Sequence, residues 1–228
     1  MIELNRIYNE DCFETMKRIP DGFIDLVLTD PPYGINWSSR YKKYNGDDNS
    51  WQPIKNDDGL FDYDLMFKEV CRVSKKAIVF GAENFYQSIP HKGRWIVWDK
   101  RTSNVENEML GSPFEMAWSS QAKGQYRLYR VLHGGVVNAD AEPGLPAKRY
   151  HLTQKPVKLM RKILQDFSQP GDIVYDPFMG SGTTARACKD LGRTYLGSEI
   201  SKEYCDIAES RLAQGVLDFE QVSKTGEQ

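Results

Sequence analysis

Asp30-Pro31-Pro32-Tyr33 follows an apolar run of Ile24, Leu26, Val27 and Leu28. A run of that length fits a strand, and the two prolines must end it because neither can donate to a sheet ladder. The strand delivers Asp30 to its own carboxyl end, the edge of an open α/β sheet where ligands bind. That edge would carry one carboxylate, the Pro31 carbonyl and the aromatic face of Tyr33. Two acceptors and a ring suit a planar base with an exocyclic amine, which has two N–H bonds to donate. An Asp-Pro pair alone is ordinarily a turn, so this chemistry needs a second motif.

Residues 172–184, Asp-Ile-Val-Tyr-Asp-Pro-Phe-Met-Gly-Ser-Gly-Thr-Thr, supply one. They again run a short strand into Asp176-Pro177 and then into a glycine turn. Gly180 and Gly182 permit positive φ and close approach of a ligand, and a helix predicted from Thr183 to Leu191 aims its first N–H groups at the turn. The result is a nucleotide-type cradle. It is not a Walker phosphate loop, since no Gly-Lys-Ser/Thr follows, and position 185 is Ala where the dinucleotide fingerprint requires Gly. Arg193 to Gly197 reads as the next strand. Glu199 lies just past it, about 20 residues beyond the glycine turn, where an acidic residue can grip ribose hydroxyls.

These two motifs together resemble the S-adenosylmethionine-dependent amino-methyltransferases of DNA, and their order, Asp-Pro-Pro-Tyr first and the glycine motif last, resembles the beta group. His-Leu-Thr-Gln-Lys-Pro, residues 151–156, is similar to the segment that precedes the cofactor half in that group, with Leu152 where Pro is more usual. Asn-Glu-Asp-Cys, residues 9–12, resembles the short acidic motif beside the cofactor adenine. The resemblance implies a catalytic set of Asp30, Pro31, Pro32 and Tyr33. For the cofactor it implies Asp11 and Cys12 at the adenine and Glu199 at the ribose. Phe178, Gly180, Ser181, Gly182 and Thr183 would surround the amino-acid part, with Lys155 near its carboxylate and Asp30 and Asp176 at the motif strand ends. Asp at the first motif position favours adenine N6 over cytosine N4. Since the target amine lies inside a duplex, the base must be flipped out, with Tyr33 as its stacking surface.

Charge is distributed as a nucleic-acid partner requires. The chain carries a net −2, but residues 1–91, 92–162 and 163–228 sum to −4, +7 and −5. The basic middle third is a candidate phosphate-facing surface. Double-stranded DNA contacts are expected from Arg40, Lys42, Lys43, Lys100, Arg101, Lys123, Arg127, Arg130, Lys148 and Arg149. Residues 34–58 mix Arg40, Lys42 and Lys43 with Trp37, Tyr41, Tyr44 and Trp51, as expected of a mobile loop that closes on nucleic acid. In the beta group the interval before Thr-Gln-Lys-Pro holds target recognition. Here it spans residues 119–150, small enough to imply either a short recognition sequence or help from a second subunit in a homodimer.

The remaining sequence positions these groups. At 228 residues with 40% apolar content, one α/β core is expected. No apolar run approaches membrane length, the N-terminus is polar, and Cys12, Cys71, Cys188 and Cys205 form no Cys-x-x-Cys pair. Reduced thiols in the cytoplasm are the expectation. The scattered His91, His133 and His151 assemble no metal site. Strands are predicted at 4–8, 77–80, 95–98 and 114–118. Helices are predicted at 13–19, 59–73 with Asp58 as cap, 83–89, 157–167 and after Ser201. The fold class is α/β, a doubly wound, mostly parallel sheet. The resemblance makes it a circularly permuted class I methyltransferase fold of Rossmann type with an antiparallel edge strand. Residues 1–214 are expected to form a single domain, followed by a flexible tail at 215–228.

Overall fold

The computed structural model describes residues 2–35, 60–90, 92–101, 112–121, 126–134, 137–138 and 154–213. Most of the 34–58 loop lies outside these residues, as do Arg40, Lys42, Lys43, Asp58, Lys123, Lys148, Arg149 and the 215–228 tail.

The chain runs through β1 (Arg6–Tyr8), α1 (Cys12–Lys17), β2 (Leu26–Thr29), α2 (Tyr63–Val73), β3 (Ala77–Phe80), a 3-10 segment (Ala82–Ser88), β4 (Arg94–Asp99) and β5 (Phe114–Ser119). It continues through β6 (Arg127–Arg130), β7 (His133–Gly134), β8 (Val137–Asn138), α3 (Val157–Phe167), β9 (Ile173–Asp176), α4 (Thr183–Asp190), β10 (Thr194–Ser198) and α5 (Lys202–Ala213). Eight strands form one sheet in the order β1-β10-β9-β2-β3-β5-β4-β6, while β7 and β8 pair separately. β5 alone runs against its neighbours in the large sheet. It lies between β3 and β4, which corrects the expectation of an antiparallel edge strand; the edges are β1 and β6. An interior position gives β5 ladder bonds on both sides, and its Ala117 and Trp118 are buried.

The continuous apolar runs are explained by cover on both faces. Leu26 and Leu28 of β2 pack with α3 residues Leu159, Ile163 and Leu164, whereas Val27, pointing the other way, packs with Met16 of α1 and Met66 and Val70 of α2. The helix α2 starts four residues later than predicted because Asp62, not Asp58, caps it, accepting the Leu65 N–H at 2.9 Å. The segment after β3 closes as a 3-10 turn in place of an α-helix, broken by the non-helical backbone of Phe85. No helix among the described residues is long and apolar enough to cross a membrane.

One pairing brings the two Asp-Pro motifs together. β2 and β9 are parallel neighbours, Val27 opposite Tyr175. Their Asp-Pro ends therefore emerge side by side, although 146 residues separate Asp30 from Asp176.

Candidate active site

Asp30 is held from two sides at the carboxyl end of β2. The Tyr33 hydroxyl donates to its Oδ1 at 2.6 Å and the Lys155 ammonium to its Oδ2 at 2.6 Å. Lys155 also lies 3.2 Å from the Tyr33 hydroxyl and 3.1 Å from Glu115 Oε2. Glu115 Oε1 in turn meets Lys100 Nζ at 2.5 Å. The edge is thus a line of alternating charge, Asp30, Lys155, Glu115, Lys100, contributed by β2, the segment before α3, β5 and the end of β4. Burial pushes the Asp30 carboxyl up, and Lys155 opposes that shift. Burial lowers the Lys155 pKa, but Asp30 and Glu115 outweigh it, so the ammonium is held charged. Burial would raise Glu115 too, yet Lys155 and Lys100 hold it at about 2. Burial places the Tyr33 phenol well above its usual range, with Asp30 and Glu115 adding to the shift. Tyr33 is therefore a hydrogen-bond donor at ordinary pH.

The floor beneath Tyr33 is Gly81, at the end of β3. A Cβ there would stand 2.0 Å from Tyr33 Cε1. The Pro32 carbonyl accepts the Tyr63 hydroxyl at 2.9 Å, and Tyr63 stacks on Phe85 at 4.2 Å between ring centroids. Gly81, Tyr63, Glu115 and the pairing of Lys155 with Asp30 were not found by sequence reasoning, since each depends on a strand or helix neighbour far away in the chain. The glycine after the β3 run was the one available signal.

The second motif folds as the cradle. Gly180 and Gly182 adopt φ of +53° and +84°. A Cβ at Gly180 would meet nothing within 4 Å, whereas one at Gly182 would lie 2.8 Å from Ala208 Cβ. The first glycine borders open space and the second lets α5 close against α4. Glu199 Oε2 accepts the Gly180 N–H and its Oε1 the Ser201 N–H, both at 2.8 Å. Arg211, buried on α5, donates to the Ser181 carbonyl at 2.5 Å and its hydroxyl at 3.0 Å. Asp11 caps α1 by accepting the Phe13 N–H at 2.8 Å, and burial pushes the Cys12 thiol up to about 12. Phe178 meets Phe61 edge-on at 5.5 Å, and Phe61 stacks on Phe13, so an aromatic wall joins the cradle to α1.

Asp176 and Lys155, both expected at the cofactor, are engaged by protein groups. Asp176 is a buried tie between the motif strands: its Oδ1 accepts from Thr29 at 2.7 Å and the Phe178 N–H at 3.0 Å, and its Oδ2 from Thr184 at 2.7 Å. Lys155 is engaged by Asp30 and Glu115, at the carboxyl end of β2. Burial pushes the Asp176 carboxyl up to about 6, against the pull of those donors. The unfolded chain therefore releases this proton first, near pH 4, while the folded chain retains it to about pH 6, so stability falls as pH rises through that window. The fall is about 3 kcal/mol for two pH units. Urea unfolding should show Asp176→Asn gaining on the wild type by that amount between pH 4 and 6.

Of the residues expected on DNA, Lys100 has a side chain 14% exposed and turned onto Glu115. Arg101 and Arg130 both pair with Asp99, at 2.9 and 3.0 Å, and remain 33% and 45% exposed. These two guanidiniums hold Asp99 at about 2, Arg101 contributing most. Arg127, 46% exposed, lies 3.7 Å from Asp166. Among the described residues no cluster of three or more His, Cys, Asp or Glu could hold a metal ion.

A mostly parallel sheet with an Asp-Pro-Pro-Tyr turn and a glycine turn on adjacent strand ends defines a class I methyltransferase fold, and comparison with known proteins agrees. The DNA methylase family model N6_N4_Mtase matches residues 97–210. The type II methyltransferase M.HinfI of Haemophilus influenzae is 31% identical, covering 92% of this chain and 69% of its own. The M1.HpyAVI–SAM complex is 26% identical with a TM-score of 0.56, covering 90% of this chain and 98% of its own. The cytosine-N4-specific PvuII DNA methyltransferase shares the fold at 15% identity, with a TM-score of 0.63 over 98% of this chain and 92% of its own. The chain belongs to the N6/N4 amino-methyltransferase family of DNA methylases.

Proposed function

We propose that this protein transfers a methyl group from S-adenosylmethionine to the N6 amine of a flipped-out adenine in duplex DNA. The observation that carries the reading is the 2.7 Å bond from Thr29 to Asp176, which holds the Asp30 turn beside the glycine cradle. Both reactants can then be oriented in one chamber, and orientation is the main source of rate when no covalent enzyme intermediate is needed. S-adenosylmethionine, when bound, supplies an electrophilic methyl group on a sulfonium. The cradle fits it: open space beside Gly180, carboxylates at Asp11 and Glu199 for hydroxyl or amine donors, and the aromatic Phe178.

An aryl amine is a weak nucleophile because its lone pair is conjugated into the ring. Asp30 and the Pro31 carbonyl, by accepting its two N–H bonds, favour a tetrahedral nitrogen with the lone pair directed out of the ring plane. Tyr33 would stack on the base, its plane fixed by the bond to Asp30 and by Gly81 beneath. The nitrogen must shed one proton as it takes the methyl, and Asp30 is the acceptor at hand. Aspartate at the first motif position supports adenine. Cytosine N4 presents the same donor amine beside a ring nitrogen and is the alternative product. Nucleoside mass spectrometry of DNA incubated with protein and cofactor should find N6-methyladenine; N4-methylcytosine alone would refute the choice.

Residues 1–214 are read as one methyltransferase domain, with residues 119–150 as its recognition region and a second subunit as its complement. Arg127 and Arg130 of β6 would contact phosphates in that region. Replacing both by Ala should weaken DNA binding and flatten the slope of log K against log salt by about 2, near 0.9 for each phosphate no longer neutralised. An unchanged slope would move the DNA face elsewhere.

A further inference from the structure

The amine-acceptor oxygen of Asp30 already has an internal ligand. Lys155 donates to Oδ2 at 2.6 Å, and the Tyr33 hydroxyl occupies Oδ1 at 2.6 Å. An incoming amine must share or displace one of them. Tyr33 packs its ring against Gly81, which bars retreat on that side. Lys155 can, since a second carboxylate stands 3.1 Å away. Of the two Glu115 oxygens, Oε1 takes Lys100, while Oε2 is buried and lacks a hydrogen bond of acceptable geometry among the described residues. Lys155 thus bonds Asp30 at 2.6 Å and the Tyr33 hydroxyl at 3.2 Å, and meets Glu115 Oε2 as an ion pair without a hydrogen bond.

We propose that Glu115 is a positioning residue that receives the Lys155 ammonium when the target amine takes its place on Asp30. The inference rests on the reading that Asp30 accepts the amine. A turn about the last side-chain torsions of Lys155 completes the bond to Oε2 and empties the Asp30 acceptor. Charge stays balanced in both arrangements, because Lys100 and Glu115 neutralise each other and Lys155 remains between the same two carboxylates. An ammonium left on Asp30 would also draw off the electron density by which that carboxylate accepts the proton shed during methylation. Among the described residues Glu83, at the start of the 3-10 segment, and Asp176, at the end of β9, also act on this array; burial raises both carboxyls, and Glu83 Oε2 lacks a hydrogen-bond partner among those residues.

The test is single-turnover methyl transfer to a duplex carrying the target site, followed from pH 5.5 to 9, approximate limits chosen to bracket neutral catalysis. Glu115→Gln should lower the rate about tenfold or more and shift its pH profile, the loss of one charge-assisted bond, while cofactor affinity is retained. Glu115→Asp should restore part of the rate. In Lys155→Met the ammonium is gone, so adding Glu115→Gln should cost nothing further. Losses that add in the double variant, or a Glu115→Gln rate and profile equal to wild type, overturn the proposal. On the wild type, the 15N resonance of the Lys155 ammonium should move when duplex is added with unreactive S-adenosylhomocysteine. A resonance unmoved by saturating duplex also overturns it, even where a variant fails to fold. Asp30→Ala is the separate control: full activity there refutes the amine-acceptor reading itself.

Discussion

Asp30→Ala should lower methyl transfer by about a thousandfold, the scale of removing one preorganised contact to a reacting group, and leave S-adenosylmethionine binding nearly intact. The separation follows from the sheet. Asp30 sits on β2, whereas the groups expected to line the cofactor's ribose and amino-acid parts come from the turn after β9 and from Glu199. Those groups are fixed by bonds that Asp30 does not make: Glu199 to the Gly180 N–H and Arg211 to the Ser181 carbonyl. In the proposed mechanism, loss of Asp30 removes one N–H acceptor and the nearest proton acceptor together. The Lys155 ammonium keeps Glu115, at 3.1 Å, so the variant is not left with an isolated buried charge. Titration calorimetry with the cofactor and a radiolabelled-methyl assay on DNA would read the two effects separately. Undiminished turnover would contradict the role.

Gly81→Ala should be nearly as damaging to activity, although residue 81 carries no chemistry. Its Cβ would fall 2.0 to 2.6 Å from three atoms of the Tyr33 ring. An aromatic ring cannot yield as a flexible chain end can, so Tyr33 must swing out of its plane and give up its bond to Asp30. The backbone adds strain of about 1–2 kcal/mol, since φ at this position lies in the left-handed region. A hundredfold loss of rate is expected, approximately the consequence of misplacing a positioning group by an ångström. The cradle, on the other side of β2, should bind cofactor as before. Gly180→Ala offers the contrast: it carries the same left-handed backbone strain, but its Cβ meets nothing within 4 Å in the protein, so the defect beyond that strain should fall on cofactor affinity.

These expectations differ in how they could be reached. Strand ends punctuated by Pro-Pro and Asp-Pro, and helices with a clear apolar face such as Val157–Phe167, are local features, and sequence placed them within a residue or two. The adjacency of Asp30 and the glycine turn came from motif order, and β2 pairing with β9 supplies its physical basis. What remained hidden depends on partners far along the chain. Nothing near Lys155 indicates that its ammonium meets Asp30, 125 positions earlier. Asp176 resembles Asp30 in every local respect, yet one is a buried tie satisfied by two threonines and a backbone N–H, and the other is held by Tyr33 and Lys155. Local pattern cannot separate them, because the difference lies in the Thr29 hydroxyl of another strand. Lys100 illustrates the converse. Its basic neighbourhood suggested phosphate, but β5 running backwards between β3 and β4 brings Glu115 to the same edge and captures it.

The pairing of β2 with β9 also has a consequence for biosynthesis. A chain emerging from the ribosome completes its Asp-Pro-Pro-Tyr turn early, but the strand that must lie against β2 is made about 145 residues later. Until then one flank of β2 lacks its native ladder, and the high sequence separation of that contact makes its closure a slow, late event. Catalytic competence should therefore arise in one step near the end of translation, and chains stopped before β9 should be aggregation-prone without being partly active.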